Sequence, residues 1–248
     1  MKLLLITLAS ILTFTASSAE KTQIYNSIIN NKSESALQDL HVLVKNSHHR
    51  VLSYREARRH LFGSIHLQED SNGHFIAEVY CGKKVRDAGV GPGQIPNHRI
   101  VNAEHTWPKY KFNRSFPYNT QVSDMHNLYP SDSVANSKRG HLIFAEVSGD
   151  YATHDCSSSF VGHINGTHLE AFEPPMEHKG NVARALFYFS VRYKIHISAE
   201  EESFLRQWHL LDPVDGKEKK RNAEIERLQG NSNPFIDRPE LVDQIRNF

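Results

Sequence analysis

Cysteine is scarce: the 248-residue chain holds only Cys81 and Cys156. No CxxC or CxxxxC spacing occurs, which excludes the common structural zinc sites. Neither sign of charge is in excess, with 29 Lys and Arg against 28 Asp and Glu. Any contact with a polyanion must therefore come from local clusters and not from a basic protein as a whole. Candidates are Lys83, Lys84 and Arg86; Lys109, Lys111 and Arg114; and Lys217, Lys219, Lys220 and Arg221. After residue 19 no apolar run approaches the ~20 residues that span a bilayer. Internal repeats, low-complexity segments and long linkers are missing, and so is any helix-turn-helix, zinc finger or other base-reading module.

What is there begins with a processing signal. Lys2 supplies a positive start, Leu3 to Phe14 is a short apolar run, and Ala16-Ser17-Ser18-Ala19 offers small side chains to a signal peptidase. Cleavage before Glu20 is expected, giving a signal peptide over 1–19 and a mature chain over 20–248. Export to the periplasm or the medium follows, with no stable membrane association once the signal is removed. In an oxidising compartment two cysteines pair, so a Cys81–Cys156 disulfide is expected. Hydrophobic residues at 39% and charged residues at 23% are ordinary for one globular domain, and a monomer is expected.

Periodicity points to helices with few strands. Tyr25 to Val44 carries apolar residues at helical spacing, and Ser53 reads as a cap before Tyr54 to Phe62. Asp70-Ser71-Asn72-Gly73 is a turn, after which His74 to Cys81 alternates like a strand. Gly89 to Pro96 is a loop. Asn181 to Tyr193 and Asp215 to Leu228 read as helices, the second ended by Gly230. Arg238-Pro239 opens a short tail helix.

Residues 100–146 differ in kind. Ile100 to Pro108 is strand-like and stopped by proline, with Glu104 and His105 adjacent. Ser131 or Asp132 can cap a helix that displays Asn136, with Arg139 three residues on and on the same face. Phosphodiester hydrolysis needs a base for the attacking water and a hard cation for the charge that builds on phosphate. Mg²⁺ tolerates few protein ligands, and one carboxylate with one amide oxygen, Glu104 and Asn136, is a suitable pair. His105 has the right basicity near neutral pH. Arg139 offers a two-pronged phosphate grip. Neighbouring residues of a regular strand face opposite ways, so Glu104 and His105 share a site only if the strand twists or ends there.

Asn102-Ala103-Glu104-His105-Thr106-Trp107-Pro108, Asp124-Met125-His126-Asn127-Leu128-Tyr129-Pro130-Ser131-Asp132 and Val134 to His141 together resemble the endonuclease I family, exported bacterial nucleases of the ββα-metal or His-Me finger class. The likeness extends to Ser53 to Ala57, Tyr80-Cys81-Gly82, Phe172 to Pro175, Lys179 to Ala185 and Gln229 to Asp237. It implies an α+β fold, mainly helical, with a ββα-metal active-site motif. It implies His105 as general base, Glu104 and Asn136 as metal ligands, and Arg139 as a phosphate contact. His126 and Asn127 would support the site, by orienting it or by holding the finger loop. The implied cofactor is Mg²⁺, with Mn²⁺ substituting, and the implied partners are DNA and RNA, bound through the phosphate backbone without regard to sequence. One departure stands out. Some members carry a glutamate two residues before the aspartate that is Asp124 here, where this chain has Val122; Asp124 is the candidate to replace it. Two other readings are an exported phosphoesterase for small phosphodiesters and a non-catalytic nucleic-acid-binding relative. The second would be expected to lose Glu104, His105 or Asn136, and all three are present.

Overall fold

A computed structural model describes residues 18–31 and 35–248. Most of the expected signal peptide, residues 1–17, lies outside the described residues. Two helices open the chain, α1 (Ser18–Asn31) and α2 (Ala36–Ser47), where periodicity gave one continuous run. Next comes α3 (Tyr54–His60). Its start is fixed by a capping box: Ser53 Oγ accepts from the Glu56 amide, and the Glu56 carboxylate accepts from the Ser53 amide. A π-helical turn over Leu61–Ile65 follows. There a Cβ on Gly63 would meet the backbone of Gly93 at 2.5 Å. Glycine at 63 thus lets the Gly89–Pro96 loop close against the end of α3, tied by the Gly93 amide to the Gly63 carbonyl at 2.9 Å.

The turn at residues 70–73 joins β1 (Leu67–Asp70) to β2 (Gly73–Ala77), and β3 (Lys84–Val85) completes a three-stranded sheet. The strand expected to run to Cys81 stops at Ala77, because the buried Glu78 carboxylate captures the amides of Tyr80, Cys81 and Lys83. The first basic cluster dissolves here. Lys83 pairs with Asp132 and Asp155, while Lys84 and Arg86 pair with Asp70.

Next come β4 (Val101–His105), α4 (Tyr118–Val122), β5 (Leu128–Asp132) and α5 (Ser133–Arg139). β4 and β5 are antiparallel, with Glu104 opposite Tyr129 and His105 opposite Leu128. α5 follows directly, capped by Asp132, whose carboxylate accepts from the amides of Val134 and Ala135. The hairpin rests on a core that includes Leu61, Phe62, Val101, Met125, Leu128 and Ile225.

The expectation of few strands is corrected by residues 143–173. These build β6 (Ile143–Phe144), β7 (Ser148–Thr153), β8 (Cys156–His163) and β9 (Glu170–Glu173), a sheet in the order β6-β9-β8-β7. The expected disulfide is present and joins Cys81 to Cys156 at the start of β8.

Four helices close the chain: α6 (Met176–Tyr193), α7 (Ala199–Leu211), α8 (Gly216–Gln229) and α9 (Pro234–Asp237). α6 is buried on nearly every face and is the axis of the main core, meeting Leu40, Trp208, Phe235 and Phe248 there. The fold is α+β. Among the described residues no helix is long and apolar enough to cross a membrane.

Candidate active site

The end of β4 is built by four contacts. The Thr106 amide donates to the Asn127 carbonyl at 3.0 Å, and the Trp107 amide donates to Asn127 Oδ1 at 2.6 Å. Asn127 Nδ2 returns a bond to the Trp107 carbonyl, and Trp107 Nε1 donates to the carbonyl of Lys111. β4 ends at His105, still paired with Leu128, and Glu104 and His105 both line one cleft of about 300 Å³ with Asn136. This meets the condition set by their adjacency in sequence.

His105 is almost fully buried, and its Nε2 lies 3.0 Å from the Val122 carbonyl. A carbonyl only accepts, so Nε2 carries the proton and Nδ1 keeps its lone pair. Burial drives the imidazole pKa down to about 3, which keeps the ring neutral; Lys109 and Arg139 push the same way, against the Val122 bond. The Val122 side chain itself is buried, and it is the backbone carbonyl of this residue that meets His105.

Glu104 Oε1 accepts from the Tyr80 hydroxyl at 2.8 Å and from Arg139 Nη1 at 2.8 Å. Oε2 accepts from no side chain among the described residues. Burial raises the pKa of this carboxyl, opposed by Arg139 and Tyr80. Asn136 donates through Nδ2 to Asn102 Oδ1 at 2.7 Å, so its own Oδ1 is left as an oxygen donor in the cleft. No group of three or more His, Cys, Asp and Glu side chains gathers as a metal site among the described residues. The donors that do meet here, one carboxylate and one amide oxygen, are hard oxygen ligands.

Arg139 departs from the role expected of it. Its guanidinium is 1% exposed and committed to Glu104, to the His105 carbonyl at 2.9 Å and to the Thr106 carbonyl at 2.5 Å, and it lies over the Phe144 ring. It is a buried part of the cleft lining that braces Glu104, with both Nη groups already bonded within the protein. Asp124 also lies elsewhere than expected. It is fully buried, accepts from Tyr188, Tyr193, Gln229 and the His126 amide, and does not reach the cleft. Its neighbour His126 donates through Nε2 to the Asn231 carbonyl. The C-terminal stretch that begins at Gln229 therefore braces the 124–127 turn, which in turn holds β4 through Asn127.

Four contributors had no signal of their own in the sequence. Tyr80 holds Glu104 and was marked only as part of the N-terminal likeness. Glu78 ties the Tyr80 segment to the head of α5 by accepting from the Asp132 amide at 2.8 Å. Tyr54 sets its ring 5.6 Å from that of His105. Arg58 lines the cleft with Lys109.

The profile of the Endonuclease I family matches residues 16–240. The chain belongs to the endonuclease I family. It is therefore a nuclease. An extracellular ribonuclease of Bacillus subtilis (strain 168) is 31% identical over 232 residues, covering 86% of this chain and 74% of that protein. An extracellular deoxyribonuclease of Aeromonas hydrophila is 26% identical over 179 residues, 64% of this chain and 76% of its own. A periplasmic deoxyribonuclease of the same organism is 26% identical over 180 residues, 64% and 74% of the two chains. Family membership gives the convergence of Glu104, His105 and Asn136 a chemical setting, since these stretches of this endonuclease I chain carried the likeness in sequence.

Proposed function

We propose that this chain is an exported, metal-dependent endonuclease that hydrolyses phosphodiester bonds in DNA and RNA without reading sequence. The observation that carries the reading is the cleft in which a neutral imidazole, a carboxylate oxygen and an amide oxygen meet beside two cations, Arg58 and Lys109. In this reading β4, β5 and α5 form the ββα-metal finger, and residues 20–248 are one mature nuclease domain acting as a monomer. Relatives named as deoxyribonucleases and as a ribonuclease, extracellular or periplasmic, support both the substrates and the export.

The roles divide by chemistry. His105 Nδ1 takes the proton of the attacking water, because Nε2–H is already donated to Val122. Glu104 Oε2 and Asn136 Oδ1 would hold Mg²⁺, or Mn²⁺ in its place, with water completing the shell. The ion supplies charge neutralisation at the phosphate and the leaving oxygen. Arg139 and Tyr80 hold Glu104 in place, and Asn127 and His126 hold the turn that presents His105.

The test is cleavage of supercoiled plasmid and of unstructured RNA by the purified mature chain. EDTA should abolish both activities and added Mg²⁺ or Mn²⁺ should restore them, with cuts scattered along unrelated plasmids. Full activity in excess chelator removes the ligand assignment. Hydrolysis of bis(p-nitrophenyl) phosphate with no cleavage of either polymer would favour a small-molecule phosphoesterase.

A further inference from the structure

Arg139 is closed off from any incoming phosphodiester by its own ion pair, so the anion contact in the cleft falls to another cation. Arg58 lines the same cleft. Its place is set locally. The capping box at Ser53 fixes Tyr54 as the first helical residue, and Arg58 follows at i+4 on the same face of α3. The Arg58 guanidinium carbon lies 4.9 Å from the Tyr54 ring centroid, and the Tyr54 ring abuts the imidazole of His105. Arg58 is thus tied through one aromatic ring to the base.

Among the described residues Arg58 makes no ion pair and no hydrogen bond, and its Nε is buried without a partner. Arg86, Arg139, Arg184 and Arg206 are each paired with a carboxylate, and Arg221 is held by backbone carbonyls. Arg192 resembles Arg58 in lying over a tyrosine without an ion pair among the described residues, but it is buried away from the cleft, whereas Arg58 lines it. A guanidinium packed on an aromatic ring, facing a polar cleft and lacking a carboxylate, is completed by an oxyanion that takes two of its N–H groups. Lys109, the other cleft cation, is exposed, makes no ion pair among the described residues and offers only a point charge.

We propose that Arg58, held over Tyr54 beside His105, is the side chain that grips the substrate phosphate in this cleft. This rests on the nuclease reading above. The test measures binding of a labelled DNA duplex to the Mg²⁺-loaded full mature chain in a His105→Ala background, across a salt series. Arg58→Ala should weaken binding on the order of ten-fold at low salt and lower the slope of log K against log salt by about 0.9, the loss of one neutralised phosphate. Arg58→Lys should keep the slope and lose part of the affinity. Arg59→Ala, exposed on the same helix and outside the cleft lining, should leave both unchanged. In the catalytically intact chain, KM for Arg58→Ala should rise more than kcat falls. Should Arg58→Ala fail to fold, Arg58→Met keeps the stem over Tyr54 and takes its place. Affinity and slope equal to the parent in either variant overturn the assignment. The nuclease reading fails separately, if the unmodified chain leaves plasmid intact in Mg²⁺.

Discussion

Glu104 and Arg139 are buried together as an ion pair, which gives Arg139 a structural task. Taking both charges out of water is costly, and their pairing offsets the cost only while both partners and their hydrogen bonds remain. Burial still wins at Glu104, whose pKa is raised in spite of Arg139. Arg139→Ala should therefore destabilise the fold by about 3–5 kcal/mol, read from urea denaturation, because it strands a buried carboxylate and two carbonyls. A residue whose task is to touch phosphate from the surface would cost little stability on removal. Tyr80→Phe is the milder probe. It removes one hydrogen bond to Glu104, worth roughly 1 kcal/mol. It should raise the Mg²⁺ concentration for half-maximal cleavage while leaving the rate at saturating metal close to wild type.

Elements whose ends are marked by local chemistry were legible in the sequence. Ser53 caps α3, an aspartate caps α5, and Gly230, at φ 98°, ends α8. The candidate site residues were legible for a different reason. Glu104, His105 and Asn136 lie in three short stretches whose likeness to a family named them, and their meeting required only that β4 end at His105. The sheet of residues 143–173 was not legible, because Ser148–Thr153 is short, polar and largely exposed and shows no apolar alternation. The two-residue β6 gives no signal either, and its partner β9 lies well along the chain, with Ile143 beside Ala171. Tyr80 was hidden in the same way, since its hydroxyl reaches a residue 24 positions away. The disulfide acts at this scale too, tying the segment after β2 to β8 across a separation of 75 residues. The chain-entropy account gives about 4 kcal/mol for a loop of that order. The double variant Cys81→Ser/Cys156→Ser should lose stability on that scale. Digestion of the unreduced exported protein should yield the two cysteine peptides joined.

For the whole molecule, burial of neutral histidines sets an acid limit on stability. Burial lowers the pKa of His178 to about 3 and that of His126 to about 4, aided in each by nearby arginine charge. In the unfolded chain both protonate near ~6.5. Between these values the unfolded state binds more protons, so their contribution is complete above about pH 6.5 and is lost as pH falls towards 4. At pH 5 each such histidine should cost about 2 kcal/mol relative to pH 7. Urea midpoints measured against pH should fall across this window, and His178→Gln should reduce the slope by nearly one proton. A slope unchanged by that substitution would mean His178 is protonated in the folded state.

The central claim is that His105, with Nε2–H donated to Val122 and Nδ1 free, is the base of a metal-assisted cleavage. The most direct measurement is the single-turnover rate of plasmid cleavage by His105→Ala against wild type at saturating Mg²⁺, with folding and DNA affinity measured on the same samples. The rate should fall on the order of 10²–10⁴-fold while fold, affinity and Mg²⁺ half-saturation stay near wild type. Cleavage by His105→Ala at the wild-type rate would contradict the account.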